Sequence, residues 1–253
     1  MDCDTLRDDQ WERIKVFVPG GTKGKRGPRT DNRKFLDALL WMARSGGRWR
    51  DLPERLGDYR SVKRRYYRWI EMGVLDAMLL VLAREADLEW LMIDSTIVRA
   101  HQHAAGARKE KGGPDAQGLG RSRGGLSTKI HAATEALGLP VRLIGSPGQR
   151  NDIALAHDLI DGFEAQAILA DKGYDADHLC DKIEKAGTDV VIPPKRNRKT
   201  QRSYDRDLYK ERNRVERFFA KLKQFRRVAT RYDKLLVNFM GFVKLAAIAI
   251  WLR

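Results

Sequence analysis

The apolar pattern changes period near Leu88, and that change restricts the chain to a helical segment followed by an α/β segment. Residues 8–17 and 32–43 carry apolar side chains at helical spacing, with breaks at Pro19-Gly20-Gly21 and Ser45-Gly46-Gly47. Residues 53–56 and 59–72 form two further helical patterns separated by Gly57, the layout of a helix-turn-helix spanning about residues 48–72. In the second of these, Val62, Tyr66, Trp69 and Ile70 share one side, and Arg60, Lys63, Arg64, Tyr67 and Arg68 share the other. A basic face opposite an aromatic one suits a helix that docks on DNA, although an ordinary solvated helix has the same pattern.

Beyond Leu88 the apolar runs are short. Leu91-Met92-Ile93 ends in Asp94, residues 128–133 alternate, residues 141–144 are apolar, residues 167–170 end in Asp171, and Val190-Val191-Ile192 ends at a Pro pair. Helical patterns fit residues 152–163 and 176–186. Three strands in succession, followed by helix, strand, helix, strand and a long last helix, predict an α/β domain with a mixed sheet flanked by helices. The expected domains are a small all-helical one over 1–86 and an α/β one over 87–253 that includes the C-terminal helix.

Charge indicates the partner. Forty-nine Lys and Arg stand against 34 Asp and Glu, a formal net charge of +15. Between residues 195 and 231 there are 15 basic and four acidic residues, and smaller basic islands lie at 23–34, 60–68 and 108–129. One basic run is ordinary surface, but four with this excess point to nucleic acid. Hydrophobic residues make up 42% of the chain, which excludes a disordered polyelectrolyte. Cys3 and Cys180 have neither pairing nor metal spacing, which fits a reducing compartment. The start of the chain lacks the pattern of a signal peptide. The most apolar stretch, residues 235–252, contains Asn238 and Lys244, so it reads as a buried helix and not a membrane span. The expected location is the cytoplasm.

Asp94 and Asp171 each follow a run that reads as a buried strand. Either carboxylate alone is explained by a turn or a helix cap. On neighbouring strands, the two offer the hard oxygen ligands that suit Mg²⁺ or Mn²⁺. Around the helix starting near Tyr209, the side chains of Tyr209, Arg212, Glu216 and Lys223 share a strip beside the apolar strip Val215, Phe218, Phe219 and Leu222. Glu216 therefore borders the buried face, either as an intrahelical ion-pair partner or as a third ligand.

Asp94 in MIDST, Asp171 in LADKGYDA and the series Tyr209-x2-Arg212-x3-Glu216-x6-Lys223 resemble the bacterial insertion-sequence DDE transposases of the type numbered five. RAHQHAAGARK, GRSRGGLSTKIHAA, PGQRND, VIPPKRNR, VERFFAKLKQFRRVATRYDKL and GGRWRDLPERLGDYRSVKRRYYRW resemble the same family, so the likeness covers nearly the whole chain. The three acids and the Tyr, Arg and Lys positions show no departure from the pattern. The resemblance implies a ribonuclease H-like fold in which Asp94, Asp171 and Glu216 are catalytic and hold two divalent ions, Mg²⁺ with Mn²⁺ able to substitute. It implies binding of double-stranded DNA, both terminal inverted repeats and target, as a homodimer or higher assembly, with strand cleavage followed by strand transfer. It also implies phosphate contacts for Arg212 and Lys223 with Tyr209 nearby. The expected DNA-binding set further includes Arg60, Lys63, Arg64, Arg68, Arg214, Arg226 and Arg227. Two other readings remain: a nuclease or resolvase of the same fold, and a DNA-binding regulator whose catalytic domain has decayed.

Other motifs carry less. His101 and His103 lack further ligands for zinc and are read as DNA contacts. GRSRGGLS lacks the ending of a nucleotide-binding loop, so no nucleotide cofactor is expected. Phe218, Phe219 and Trp251 read as core, and residues 195–202 as a flexible basic loop over the phosphate backbone.

Overall fold

The structure is a computed structural model that describes residues 5–19, 31–107, 113–122 and 124–253. Cys3, most of the basic island at 23–34, and residues 108–112 and 123 of the third island lie outside the described residues. The chain divides into two compact units: residues 1–84, 100–117 and 222–253 form one, and residues 85–99 and 118–221 the other.

The first unit is helical. It contains α1 (Asp8–Ile14), α2 (Asn32–Ser45), α3 (Tyr59–Glu71) and α4 (Val74–Leu82). Asp31 caps α2 by accepting from the backbone N–H groups of Arg33 and Lys34, and Asp58 caps α3 by accepting from that of Ser61. The basic helix α3 buries Val62, Tyr66 and Trp69 as its pattern predicts. Its expected helix-turn-helix partner over residues 53–56 is not a helix. Two single 3₁₀ turns, Trp49–Asp51 and Glu54–Leu56, flank Pro53, whose missing N–H prevents a continuous helix there. The full helix that precedes α3 is α2.

In the second unit, β1 (Trp90–Ala100), β2 (Gly120–Ser122), β3 (Gly125–Thr134), β4 (Pro140–Pro147), β5 (Ala167–Leu169) and β6 (Asp189–Val191) form one mixed sheet. β3 pairs antiparallel with β1 through Met92↔Thr134 to Arg99↔Ser127. Its other edge carries β2 and then β4. On the far side of β1, β5 runs parallel to it through Met92↔Leu169, and β6 runs parallel to β5. The sheet expected from sequence is therefore present, with one difference. β1 does not stop at Asp94 but continues six residues further, because Ser95 to Arg99 are held in register by β3.

Helix α5 (Gly113–Gln117) belongs to the helical unit. In the sheet unit, α6 (Ala156–Ile160) packs on β3 and β4, and α7 (Asp177–Lys185) on β6. A second departure lies in β3 itself. β3 alternates in sequence, yet Thr128, Lys129 and His131 are all buried and paired internally. The segment that carries the transposase-like series is α8 (Arg206–Tyr209), one 3₁₀ turn over Lys210–Arg212, and α9 (Asn213–Lys223). It buries Val215, Phe218, Phe219 and Leu222, as the strip predicts.

The chain ends with α10 (Arg226–Ala229), the two-residue strand β7 (Thr230–Arg231) and α11 (Leu236–Trp251). From sequence α11 closes the α/β domain; in the structure it packs against α2, α3 and α4 of the helical unit. Its all-round apolar surface is used there, and Lys244 pairs with Asp76 of α4. Gly241 lets α3 approach: a Cβ there would lie 2.5 Å from the Tyr66 hydroxyl, which donates to the Asn238 carbonyl at 2.6 Å. Among the described residues, no helix is long and apolar enough to cross a membrane. The free Cys180 is buried on α7.

Candidate active site

β1 places Asp94 beyond three residues, Leu91 to Ile93, that have no solvent exposure. The backbone N–H of Ser95 donates to its Oδ1 at 2.7 Å, and Nη1 of Arg212 donates to its Oδ2 at 2.8 Å. Burial pushes the Asp94 carboxyl above the usual range against both of these bonds, and the charge of Asp171 adds to the rise. A carboxylate in this position needs a cation.

Asp171 follows β5, the parallel neighbour of β1. Its Oδ1 accepts from the N–H of Gly173 at 2.8 Å, capping a 3₁₀ turn, so the turn role open in the sequence is realised by one oxygen. Gly173 is required for this, since a Cβ would lie 2.8 Å from that same oxygen. Glu216, half exposed on α9, pairs with Nη2 of Arg212. Arg212 thus joins the first Asp to the Glu. Burial opposes its charge, but Asp94, Tyr209 and Glu216 raise its pKa overall. The Tyr209 ring lies 5.8 Å from its guanidinium.

The donor chemistry fits a hard divalent ion: two carboxylates on adjacent parallel strands, one sensing the other's charge, and a third carboxylate linked through a cation. The three acids are nevertheless not gathered around one point. Among the described residues, no group of three or more His, Cys, Asp or Glu lies close enough to hold a metal. Arg212 takes up the charge of Asp94 and Glu216 in this arrangement.

Several residues beside the acids carried no role in the sequence reading. Asp152, in PGQRND, accepts from the Ser95 hydroxyl at 2.7 Å and from Lys129 Nζ at 2.8 Å. Tyr174, in LADKGYDA, is fully buried, and its hydroxyl has no hydrogen-bond partner among the described residues. Burial, then the charges of Asp152, Asp94 and Asp171, push that hydroxyl far above its ordinary value. A lysine within a strand pattern was the one available signal, since a buried Lys129 requires an acid.

The DNA-binding candidates divide. Arg60, Arg64, Arg68, Lys223 and Arg226 are exposed, and Lys63 is half-buried. Arg214 is committed internally, donating to Glu211 and to the Ala136 carbonyl and lying over Trp90. Arg227 is buried and ion-paired with Asp233 at 3.1 Å, so it is a core residue and not a surface contact. The basic loop over 195–202 is likewise tied down. Arg198 and Arg202 pair with Asp175 and Asp177, and the Lys195 backbone N–H donates to Asp175 at 2.7 Å.

Residues 86–252 match the family model described as "Transposase DDE domain". The chain belongs to the DDE transposase family. Residues 6–79 match a second model, "Putative transposase of IS4/5 family (DUF4096)". A relative from Brucella ovis, "Putative transposase for insertion sequence element IS6501", is 43% identical over 132 residues, 51% of this chain and 100% of that protein. An uncharacterized protein y4sN of Sinorhizobium fredii is 91% identical over 113 residues, 45% of this chain and 90% of that one. The piggyBac transposase in a synaptic complex with hairpin DNA superposes with a TM-score of 0.54 at 11% identity, covering 97% of this chain and 70% of that one. That superposition supports the ribonuclease H-like fold of DDE transposases. The protein is accordingly a DDE-type enzyme of transposition with family-level dependence on a divalent metal.

Proposed function

We propose that this DDE transposase binds the terminal inverted repeats of its insertion sequence and catalyses strand cleavage followed by strand transfer at Asp94, Asp171 and Glu216. The observation that carries this reading is Arg212, which connects Asp94 on β1 with Glu216 on α9 beside the strand that leads into Asp171. Asp94 and Glu216, more than 120 residues apart in the chain, meet there through one guanidinium.

Asp94, Asp171 and Glu216 are the residues that would hold Mg²⁺ or Mn²⁺. When bound, the metal supplies charge neutralisation at the phosphodiester and activation of the attacking hydroxyl. The chain's own residues do the rest. The Ser95 N–H and the Gly173 N–H fix one oxygen each of Asp94 and Asp171, which sets the direction of the remaining lone pairs. Arg212 lowers the cost of ionised Asp94 in its buried position. With substrate present, the same guanidinium can turn to a phosphate oxygen as Asp94 and Glu216 take up their ligand role. The exposed cations Arg60, Arg64 and Arg68 of α3, together with Lys223 and Arg226, hold the phosphate backbone. Cleavage and joining need one site, because only the attacking group differs between a water and a freed 3′-hydroxyl. Two ends must be joined in one event, so the working form is a homodimer or higher assembly on DNA.

The test is cleavage and end joining on a duplex carrying the element's own terminal repeat, with Mg²⁺ or Mn²⁺. Asp94→Ala, Asp171→Ala and Glu216→Ala should each abolish both products, as should chelation of the metal, while leaving DNA binding in place. Products from any of the three variants at the wild-type rate remove that residue from the site.

A further inference from the structure

A polar network on the sheet has no part in the proposed chemistry, yet it ends on the residue next to Asp94. Successive side chains of a strand point to opposite faces, and the pairs Ser95↔His131 and Ile97↔Lys129 place Ser95, His131 and Lys129 on the face opposite Asp94. There Asp152, beyond the end of β4, accepts on one oxygen from the Ser95 hydroxyl at 2.7 Å and from Lys129 Nζ at 2.8 Å. Lys129 also donates to the Arg150 carbonyl at 2.8 Å, and the Gly148 N–H donates to the Ser127 carbonyl at 3.2 Å. A Cβ on Gly148 would lie 2.0 Å from Ser127 Oγ, so the turn leading to Asp152 is pressed on β3. Asp152 is thus held in place by the sheet.

We propose that Asp152, anchored by Lys129, is a positioning residue for the metal-binding carboxylate of Asp94 and acts through Ser95. Three observations carry the proposal. Ser95 is bonded at both ends: its hydroxyl donates to Asp152, and its backbone N–H donates to Oδ1 of Asp94 at 2.7 Å. Restraining the hydroxyl restrains the N–H that fixes the carboxylate, as outer partners of metal ligands do. Secondly, Asp152 approaches β1 from the face opposite Asp94, so it serves that carboxylate from behind and is not a fourth ligand beside it. Thirdly, Lys129 and Asp152 are a matched pair with side chains 11% and 32% exposed, so the anchor brings no net charge to the neighbourhood of an ion site. A pair that served only β3 would need the lysine–carboxylate contact alone. The bond to the Ser95 hydroxyl is the additional one, and it leads to β1.

The inference rests on the proposed function, and the experiment separates the two. Binding of Mn²⁺ alone to the full chain is followed by loss of the free-ion electron paramagnetic resonance signal, and the Mg²⁺ concentration that half-saturates cleavage of the terminal-repeat duplex is the second readout. Ser95→Ala leaves the Lys129–Asp152 pair intact. It should weaken Mn²⁺ binding about tenfold, the lower end of the effect of losing an outer partner of a metal ligand, and raise the half-saturating Mg²⁺ by the same factor. The rate at saturating Mg²⁺ and the melting temperature of the metal-free chain should stay as in wild type. Ser95→Thr keeps the hydroxyl and should keep the affinity. Lys129→Met with Asp152→Ala removes both charges together, so neither is left unpaired, and should reproduce the loss. Adding Ser95→Ala to that pair should then weaken binding no further. Wild-type Mn²⁺ binding by Ser95→Ala, whatever its melting temperature, overturns the positioning role, as does a loss that adds in full to that of the pair. If Asp94→Ala loses Mn²⁺ and Ser95→Ala does not, the inference fails alone. If Asp94→Ala binds Mn²⁺ as wild type does, or wild type binds none, the proposed three-acid site fails and takes the inference with it.

Discussion

Ionising Asp94 in the interior of β1 costs free energy, and Arg212 offsets that cost. Arg212→Gln should therefore raise the Asp94 pKa further. If ionised Asp94 is required, the acidic limb of the cleavage pH–rate profile moves to higher pH, and the rate at neutral pH falls about 10–100-fold, the usual effect of removing a partner of a metal-binding group. An unmoved limb with a lower rate would assign Arg212 to DNA alone. His131 gives a second test that reads stability. Burial outweighs the pull of Asp152 and lowers its pKa from 6.5 to about 4, so the folded chain holds it neutral while the unfolded chain takes up a proton. Its contribution is complete above pH 6.5 and is lost as pH falls toward 4, up to about 3 kcal/mol. Urea midpoints of wild type and His131→Gln should thus converge between neutral pH and pH 4.5. The two Asp were legible in sequence because a carboxylate after a buried run is costly. Arg214 and Arg227 were misread because sequence gives the number of cations and not which of them have an internal acid or carbonyl to pair with.

Helix α3 shows what an amphipathic pattern determines and what it leaves open. The buried set Val62, Tyr66 and Trp69 follows from spacing, and so does the exposed set Arg60, Arg64 and Arg68. What lies against the buried face does not follow. Besides α2 and α4, the partner is α11, more than 160 residues away in sequence, and its all-round apolar composition carries no periodic signal for the helices it meets. The reading of β1 failed for a related reason. Ser95 and Thr96 look like a turn, but pairing with β3 overrides local preference. The α3–α11 contact can be tested directly. Tyr66→Phe leaves the Asn238 carbonyl without its donor and should cost about 1–2 kcal/mol. Gly241→Ala puts a Cβ against the Tyr66 hydroxyl and should cost about 1–3 kcal/mol. Because Tyr66→Phe removes the atom that the Ala methyl strikes, the double variant should lose less than the sum of the two in chemical denaturation. Full additivity would mean that the two helices do not meet through these atoms.

At the scale of the molecule, the net charge of +15 does not all serve DNA. Arg198 and Arg202 neutralise Asp175 and Asp177, Arg227 neutralises Asp233, and Arg214 satisfies Glu211 and a backbone carbonyl. Among the described residues, the exposed cations Arg60, Arg64 and Arg68 of α3 make no such ion pair, and Arg60 donates only to the hydroxyl of its neighbour Tyr59. Two groups of arginine substitutions should therefore separate in two measurements. Replacing Arg60, Arg64 and Arg68 together by Ala should reduce the slope of log affinity against log salt by about 2–3, since each lost phosphate contact removes roughly 0.9. The melting temperature should hardly change, because exposed ion pairs and cations contribute little to stability. Arg227→Ala should do the reverse. It leaves Asp233 buried without its partner, which costs about 3–5 kcal/mol, and the salt slope of the protein that remains folded should stay as in wild type. If Arg227→Ala changed the slope as much as one α3 arginine does, the buried pair would have to open on DNA. The division of the positive charge into a structural and a DNA-facing part would then be wrong.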